Sequence, residues 1–278
     1  GAFLAPLVCG TLGETLGWHW GFGAAGIGML AGLAVYILGR RHLPPDPPRT
    51  AASRAADQAP GQLRRLLPLL AGIGLCVVVF RGAYEQVGNT VALWADQGVD
   101  RTVTAALAIP MTWFQSLNPL LVFALTPLLL AWWARAAERG REGAPLIKMS
   151  VGALVVASAF FLLAAVSGLN GGAPAHWLWL VLFFVLLTAG ELFILPVGLG
   201  LFARLAPGGM AATIIAVWFL AAFAGNLLAG VLGVFWSSLT PGLFFALMGG
   251  IGVLSAGLLA LMAPAASRAE AEQAVPGR

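Results

Sequence analysis

Seven stretches of the sequence run for about twenty residues or more with almost no charge: residues 19–39, 65–94, 112–134, 148–168, 177–199, 209–235 and 242–263. A helix needs about 20 apolar residues to cross the hydrocarbon core of a bilayer. Only helices and closed barrels satisfy their backbone groups there, and a barrel strand alternates polar and apolar residues. None of these stretches alternates. The pattern therefore predicts an all-α, polytopic membrane protein. Ahead of them, and counted as the first of eight, the apolar stretch from Gly1 to about Leu12 is too short to span and reads as the end of a helix begun upstream. Glu14 falls in the short gap that follows and reads as a loop residue.

Charge supports this class. Charged residues are 9% of the 278, against roughly 25% in an ordinary soluble domain. So few cannot cover a soluble surface, and they exclude a disordered or coiled-coil chain. The length allows about eight to ten spans, not twelve. A sequence pI near 9.8 would suggest a nucleic-acid partner in a soluble protein. Here the cations sit mainly between apolar stretches, where they orient a chain in the bilayer.

The loops alternate in charge. Arg40, Arg41, Arg49, Arg54, Arg64 and Arg65 fill the segment after the second stretch. The next loop sets Arg101 beside Asp96 and Asp100. Then come Arg135, Arg139, Arg141 and Lys148, a loop from Asn170 to His176 without Lys or Arg, a loop with Arg204, and Ser237–Pro241 with none. By the positive-inside rule the 40–65 segment, the 135–148 loop, the Arg204 loop and the C-terminus are cytoplasmic. The Pro44-Pro45-Asp46-Pro47-Pro48 run reads as an extended linker. The expected organisation is residues 1–40 as the end of one helical bundle, 41–64 as a cytoplasmic linker, 65–263 as a six-helix bundle and 264–278 as a cytoplasmic tail.

Glycines crowd the second stretch (Gly21, Gly23, Gly26, Gly28, Gly32) and the seventh (Gly225, Gly230, Gly233). Small residues let membrane helices approach closely. The glycine spacing at 21–28 follows no strand, so it is not read as a dinucleotide fingerprint. Cys9 and Cys76 lie in apolar runs and read as packing residues. His19, His42 and His176 have no ligand partners at metal-binding spacing. No nucleophile elbow, metalloprotease motif or Walker loop occurs, so the chain is expected not to be an enzyme.

Ionisable groups at membrane depth are functional candidates by default, because insertion costs them a few kcal/mol. Glu191 has no Lys or Arg within ten residues. Another helix must supply a cation or polar group, or the carboxyl is protonated; the alternative is a carboxylate snorkelling at a helix end. Arg81 and Glu85 are four residues apart and share a helix face. They form either a self-satisfying ion pair or a switchable carboxylate. Gln115 and Asn118 precede Pro119 and can face one cavity, or serve as hydrogen-bond glue between helices. Trp218, in the stretch that also carries Asn226, is several residues into its span, and reads as a pocket or belt residue.

Several motifs resemble the proton-dependent oligopeptide transporter (POT/PTR) family of the major facilitator superfamily. Gly17 to Met29, ending in Gly39-Arg40-Arg41-His42-Leu43, is similar to the family's sixth helix, and Gly1-Ala2-Phe3 to the end of its fifth. Tyr84-Glu85-Gln86 is similar to a seventh-helix motif, and Trp113-Phe114-Gln115-Ser116-Leu117-Asn118-Pro119 to the eighth helix. Gly190-Glu191-Leu192 through Pro196-Val197-Gly198-Leu199, then Leu205-Ala206-Pro207, resembles the tenth. Trp218-Phe219-Leu220 with Gly225-Asn226 resembles the eleventh.

The resemblance implies proton-coupled symport of di- and tripeptides across the plasma (inner) membrane. Glu191, Asn118, Trp218 and Gln115 then bind substrate, and Glu85 with Arg81 handles proton coupling and gating. It implies no cofactor beyond the proton as coupling ion, and as partners small peptides, protons, the lipid bilayer and an N-terminal bundle of the same protein, with no nucleic acid. The chain departs from the family in three ways. Leu195 stands where a Ser is usual, Arg81 where an apolar or aromatic residue is usual, and residues 41–64 are too polar to form the two extra helices of many bacterial relatives. The chain, which begins at Gly1, reads as a fragment that is expected not to transport alone. A transporter of a non-peptide solute, or a non-transporting receptor or structural bundle, are the other readings.

Overall fold

Every long apolar stretch becomes a helix. The computed structural model describes residues 1–43, 60–104, 107–141, 143–206 and 210–274. Most of the linker expected at 41–64, with its proline run, Arg49 and Arg54, lies outside the described residues. So do Pro207 and the last four residues of the expected tail.

The chain opens with a π-helical turn, Pro6–Gly10, that runs into α1 (Thr11–Leu16). Gly17 breaks it at φ 106°, a left-handed backbone that favours glycine, and α2 (Trp18–Gly39) follows. Glu14 therefore lies in a helix, not in the expected loop, because the turn comes at Gly17. α3 (Pro60–Tyr84) starts four residues before the expected linker ends, with Pro60 at its first position, where its missing N–H costs nothing. The stretch read as one span at 65–94 then breaks. A 3₁₀ turn, Glu85–Gly88, separates α3 from α4 (Thr90–Gln97). The remaining helices are α5 (Met111–Glu138), α6 (Pro145–Leu169), α7 (Leu178–Leu205), α8 (Ala211–Gly233) and α9 (Pro241–Ala274). α9 runs eleven residues past the expected end of its stretch at 263, through Pro264. Among the described residues, seven helices are long and apolar enough to cross a membrane.

α6 sits at the centre, packed on α9 and α7; α3 packs on α8 and α9. The aromatic core includes Phe160, Phe183, Phe184, Phe244 and Phe245, all buried. Hydroxyls tie helices across it: Ser150 Oγ donates to Ala256 O at 2.8 Å and Ser255 Oγ to Cys76 O at 3.0 Å. Cys76 is buried and unpaired to any disulfide, as a packing residue should be. Gly152 and Gly190 meet at the crossing of α6 and α7, where a Cβ on either would stand 2.6 Å from the other's carbonyl oxygen. Only Gly21 of the second-helix glycines packs this way. Around Gly23, Gly26, Gly28 and Gly32 no described residue would meet a Cβ. α2 exposes apolar side chains nearly all round, Met29 at 77% among them.

The loops without excess basic charge gather at one end. β1 (Val99–Asp100) pairs in parallel with β4 (Ala175–His176), joining the loop after α4 to the loop after α6. β2 (Thr102–Thr104) pairs antiparallel with β3 (Leu107–Ala108). A cavity of about 570 Å³ is lined there by Trp94, Gly171, Trp236 and Gly242, so the loop before α9 joins them. This clustering is what the alternation of loop charge predicts. The Asp100 carboxyl, on that surface, is held below the usual carboxylate range by the Thr102 hydroxyl and then the Thr102 backbone N–H.

The N-terminal segment docks on this end of α5. Glu14 accepts the N–H groups of Met111 (3.2 Å) and Thr112 (2.9 Å), two of the orphan donors of the helix start. Trp113 Nε1 donates to Thr11 Oγ1 at 2.7 Å, and Ser116 Oγ to Phe3 O at 3.0 Å. Arg101 lies 4.0 Å from Glu14 and 2.9 Å from Asp96.

Candidate functional site

The intramembrane polar residues converge from four helices. On α7 the close contact at Gly190 sets the height of the next residue, Glu191. Asn118, on α5, donates through Nδ2 to Glu191 Oε2 at 2.6 Å and to Thr188 Oγ1 at 3.1 Å. Thr188 is one turn before Glu191 and wholly buried. The Tyr84 hydroxyl, at the end of α3, stands near the same carboxylate. Thus Glu191 is held by a neutral amide donor with a phenol beside it. Its charge partners, Arg81 and Glu85, act on it through space.

Glu85 has the opposite surroundings. Arg81 Nη2 bonds Glu85 Oε1 at 2.5 Å, with both side chains partly buried. The Asn226 amide, oriented to suit its neighbours, donates to Glu85 Oε1 at 3.2 Å and to Ala222 O at 3.3 Å. Gly225 makes room for this arrangement, since a Cβ there would lie 2.5 Å from Arg81 Cβ. Arg81 Nε is buried and has no hydrogen-bond partner among the described residues. The pairing of Arg81 with Glu85 that their spacing predicts is present.

Gln86, which the sequence offered only as part of a motif, is the amide that fixes the break in the third span. Fully buried, it donates to Gly82 O (3.2 Å) and Ala229 O (2.8 Å) and accepts from the Thr90 hydroxyl (3.0 Å). It ties the 3₁₀ turn carrying Glu85 to α8. Gln115 Nε2 donates to Val87 O at 3.2 Å, so α5 reaches both carboxylate clusters from one face. Pro119 follows within the same helix.

Trp218 is not brought to this cluster. It is 4% exposed, packed edge-to-face on Phe202 at 5.1 Å, with its ring over Gly198. It packs there because Gly198 opens a slot on α7 that the indole fills. Leu195 packs, partly buried, against the core. Tyr84 and Thr188 were not singled out as site residues from the sequence. Thr188 carried a signal, a hydroxyl three residues before an intramembrane carboxylate and so on its face. Among the described residues no group of three or more His, Cys, Asp or Glu is placed to share a metal ion.

Comparisons with known proteins agree with this architecture. A sequence model described as the POT family matches residues 1–59 and 52–240. An uncharacterized transporter of Bacillus subtilis is 26% identical over 97% of this chain and 65% of its own length. A peptide transporter of Yersinia enterocolitica is 29% identical over 84% of this chain and 58% of its own. A di-/tripeptide transporter of Lactococcus lactis is 26% identical over 91% and 63%. The chain thus spans less than two thirds of the length of these relatives. The alignment with the Bacillus protein covers 323 positions, more than the 278 residues here, so that relative carries segments without a counterpart in this chain. Among solved structures, a peptide transporter POT in complex with sulfate superposes with a TM-score of 0.80 at 26% identity, over 96% of this chain and 66% of the other. A point mutant of a peptide transporter POT, in complex with alafosfalin, gives 0.82 at 26% identity, over 96% and 65%.

Proposed function

The chain belongs to the POT family, and from that premise we propose that it forms part of a transporter that carries di- and tripeptides across the plasma membrane together with protons. The names of the Yersinia and Lactococcus relatives support the substrate class. The observation that carries the reading is the Glu191 carboxylate, at membrane depth, with the neutral Asn118 amide donating to it and the Tyr84 phenol beside it. A carboxylate so placed attracts a peptide's terminal ammonium, and protonating it removes that attraction. Carrying the two together needs the proton on a separate group while the peptide holds Glu191, and in this proposal Glu85, beside Arg81, is that group.

In this proposal Glu191 binds the peptide amino end. Asn118, released from Glu191, gives a hydrogen bond to the peptide backbone, and Gln115 keeps α5 in register with the Glu85 turn. Glu85 and Arg81 act in gating, since their ion pair joins α3 to its 3₁₀ turn at the point where that span breaks. Leu195, apolar where the family usually has Ser, leaves the peptide one polar partner fewer and favours apolar side chains. The loops bearing Arg40, Arg139, Arg141 and Arg204 face the cytoplasm. The proton is the only coupling ion, and the chain performs no covalent chemistry.

The test is dipeptide uptake into proteoliposomes containing the complete transporter. Uptake driven by an inward proton gradient and abolished by a protonophore is expected. Uptake indifferent to the protonophore, or of no peptide at all, overturns the reading in favour of a non-peptide solute or a non-transporting protein.

A further inference from the structure

Two small cavities adjoin where the loop after α5 leads into α6. The first, about 250 Å³, is lined among others by Trp133, Pro145, Lys148, Gly200 and Arg204. The second, about 210 Å³, is lined by Trp132, Trp133, Ile147, Val151 and Phe193, with Ala136, Arg141, Gly143 and Lys148 at its loop end. They share Trp133 and Lys148, so they are two halves of one groove between α5 and α6 with α7 beneath.

The halves differ in chemistry and depth. The first holds two cations. Lys148 Nζ stands 4.9 Å from the centre of the Trp133 ring. Arg204 gives Nε to Glu270 at 3.1 Å, while its Nη1 lies 3.7 Å from where a Cβ would stand on Gly200, at the groove wall. The second half is walled by rings and branched chains: Phe193 meets Trp132 at 6.1 Å and Trp133 at 5.4 Å, both edge-to-face. On α6 and α7 this apolar half lies deeper, at Val151 and Phe193, whereas Lys148 is in the first turn of α6 and Arg204 in the last turn of α7. Trp133 Nε1, between the halves, is buried and has no acceptor among the described residues.

We infer that this groove is a binding site for an anionic phospholipid. Lys148 and Arg204 take the phosphate at the level of the bilayer interface, and one acyl chain lies along Trp132, Phe193, Ile147 and Val151. Basic residues at a helix end need no ligand by themselves, because they snorkel to the interface. Snorkelling does not account for a cationic pocket continued inward by a ring-walled slot. That shape and polarity match a head group followed by its chain, and basic pockets between membrane helices take anionic head groups.

The experiment reconstitutes the purified protein in phosphatidylcholine vesicles containing a minor fraction of a photoactivatable phospholipid, and maps labelled peptides by mass spectrometry. Photoactivatable phosphatidylglycerol is expected to label the peptides around residues 132–151 and 193–204 several-fold more than photoactivatable phosphatidylcholine. The double variant Lys148→Gln, Arg204→Gln should lower that labelling roughly tenfold, and excess soluble glycerol phosphate should not compete. Equal labelling by the two lipids, or labelling unchanged in the variant, overturns the proposal. Competition by glycerol phosphate overturns it too, assigning the site to a free phosphate ester. Should the double variant fail to fold by circular dichroism, Gly200→Leu is read instead. It fills the polar half while keeping both cations, and labelling unchanged there also overturns the proposal.

Discussion

Two glutamates stand at membrane depth in this molecule, and their surroundings are opposite. Glu191 is met by the neutral amide of Asn118 and the phenol of Tyr84. Glu85 is met by the guanidinium of Arg81 and the amide of Asn226. A carboxylate on neutral donors keeps its charge available to an incoming cation. A carboxylate beside a guanidinium has already spent its charge on a neighbour one turn away. Under the proposed function, this difference separates a carboxylate that exchanges one partner for another from one whose ion pair must first be broken.

The first way to break the comparison is to remove the charge at Glu191. In the complete transporter, Glu191→Gln should lower proton-driven dipeptide uptake by about a hundredfold or more, as expected for a binding carboxylate that loses its ion pair. A loss below about threefold would place the binding charge elsewhere. Next is the cation at Glu85. Arg81→Trp, which leaves the Glu85 carboxylate without its ion-pair partner, should lower uptake by about tenfold. Uptake equal to the wild type would make Arg81 a bystander and leave the two glutamates alike.

A smaller effect is expected far from both carboxylates. Glu14 caps α5, the helix that carries Asn118, from the N-terminal segment. Glu14→Ala should cost about 1 kcal/mol, the usual worth of a helix cap, read as a lower thermal midpoint in detergent. Because Glu14–Arg101 is a partly exposed pair at 4.0 Å, Arg101→Ala should cost less than the cap does. The reverse order would mean that the ion pair, not the cap, seats α5.

The smallest effect is at Asp100, whose carboxyl is held below the usual range by Thr102. Its contribution to stability is complete above the ordinary carboxylate pKa and is lost as pH falls through the lowered one. Thr102→Ala should therefore lower the thermal midpoint slightly at neutral pH and leave the acid end, where the carboxyl is protonated, alone. A loss confined to acid pH would contradict the assignment.

How legible each region was in the sequence follows from the physics of its contacts. The helices were legible, because hydrocarbon admits no other way to satisfy a backbone over twenty apolar residues. So was the Arg81–Glu85 pair, since four residues on a helix fix proximity. The partners of Glu191 were not, apart from Asn118 through the family resemblance. Tyr84 and Glu191 are brought near one another because α3 and α7 both pack on α8, which depends on shape across the bundle and leaves no local spacing to read. The break after Tyr84 was hidden for a related reason. Gln86 stabilises it by bonding Ala229 on another helix, so the stretch looked continuous on its own. The packing of Trp218 was hidden too, because depth in a span does not tell which way a side chain turns, and Gly198, twenty residues earlier, decides that.

The central claim is that Glu191 recognises the ammonium of a peptide. The most direct measurement is competition for uptake between a free dipeptide and its N-acetylated form, in wild type and in Glu191→Gln. The wild type should prefer the free amine by at least about tenfold, since a charge-assisted hydrogen bond is worth about 1.5–3 kcal/mol, and the variant should bind the two forms equally weakly. Full preference for the free amine retained in Glu191→Gln would contradict the account.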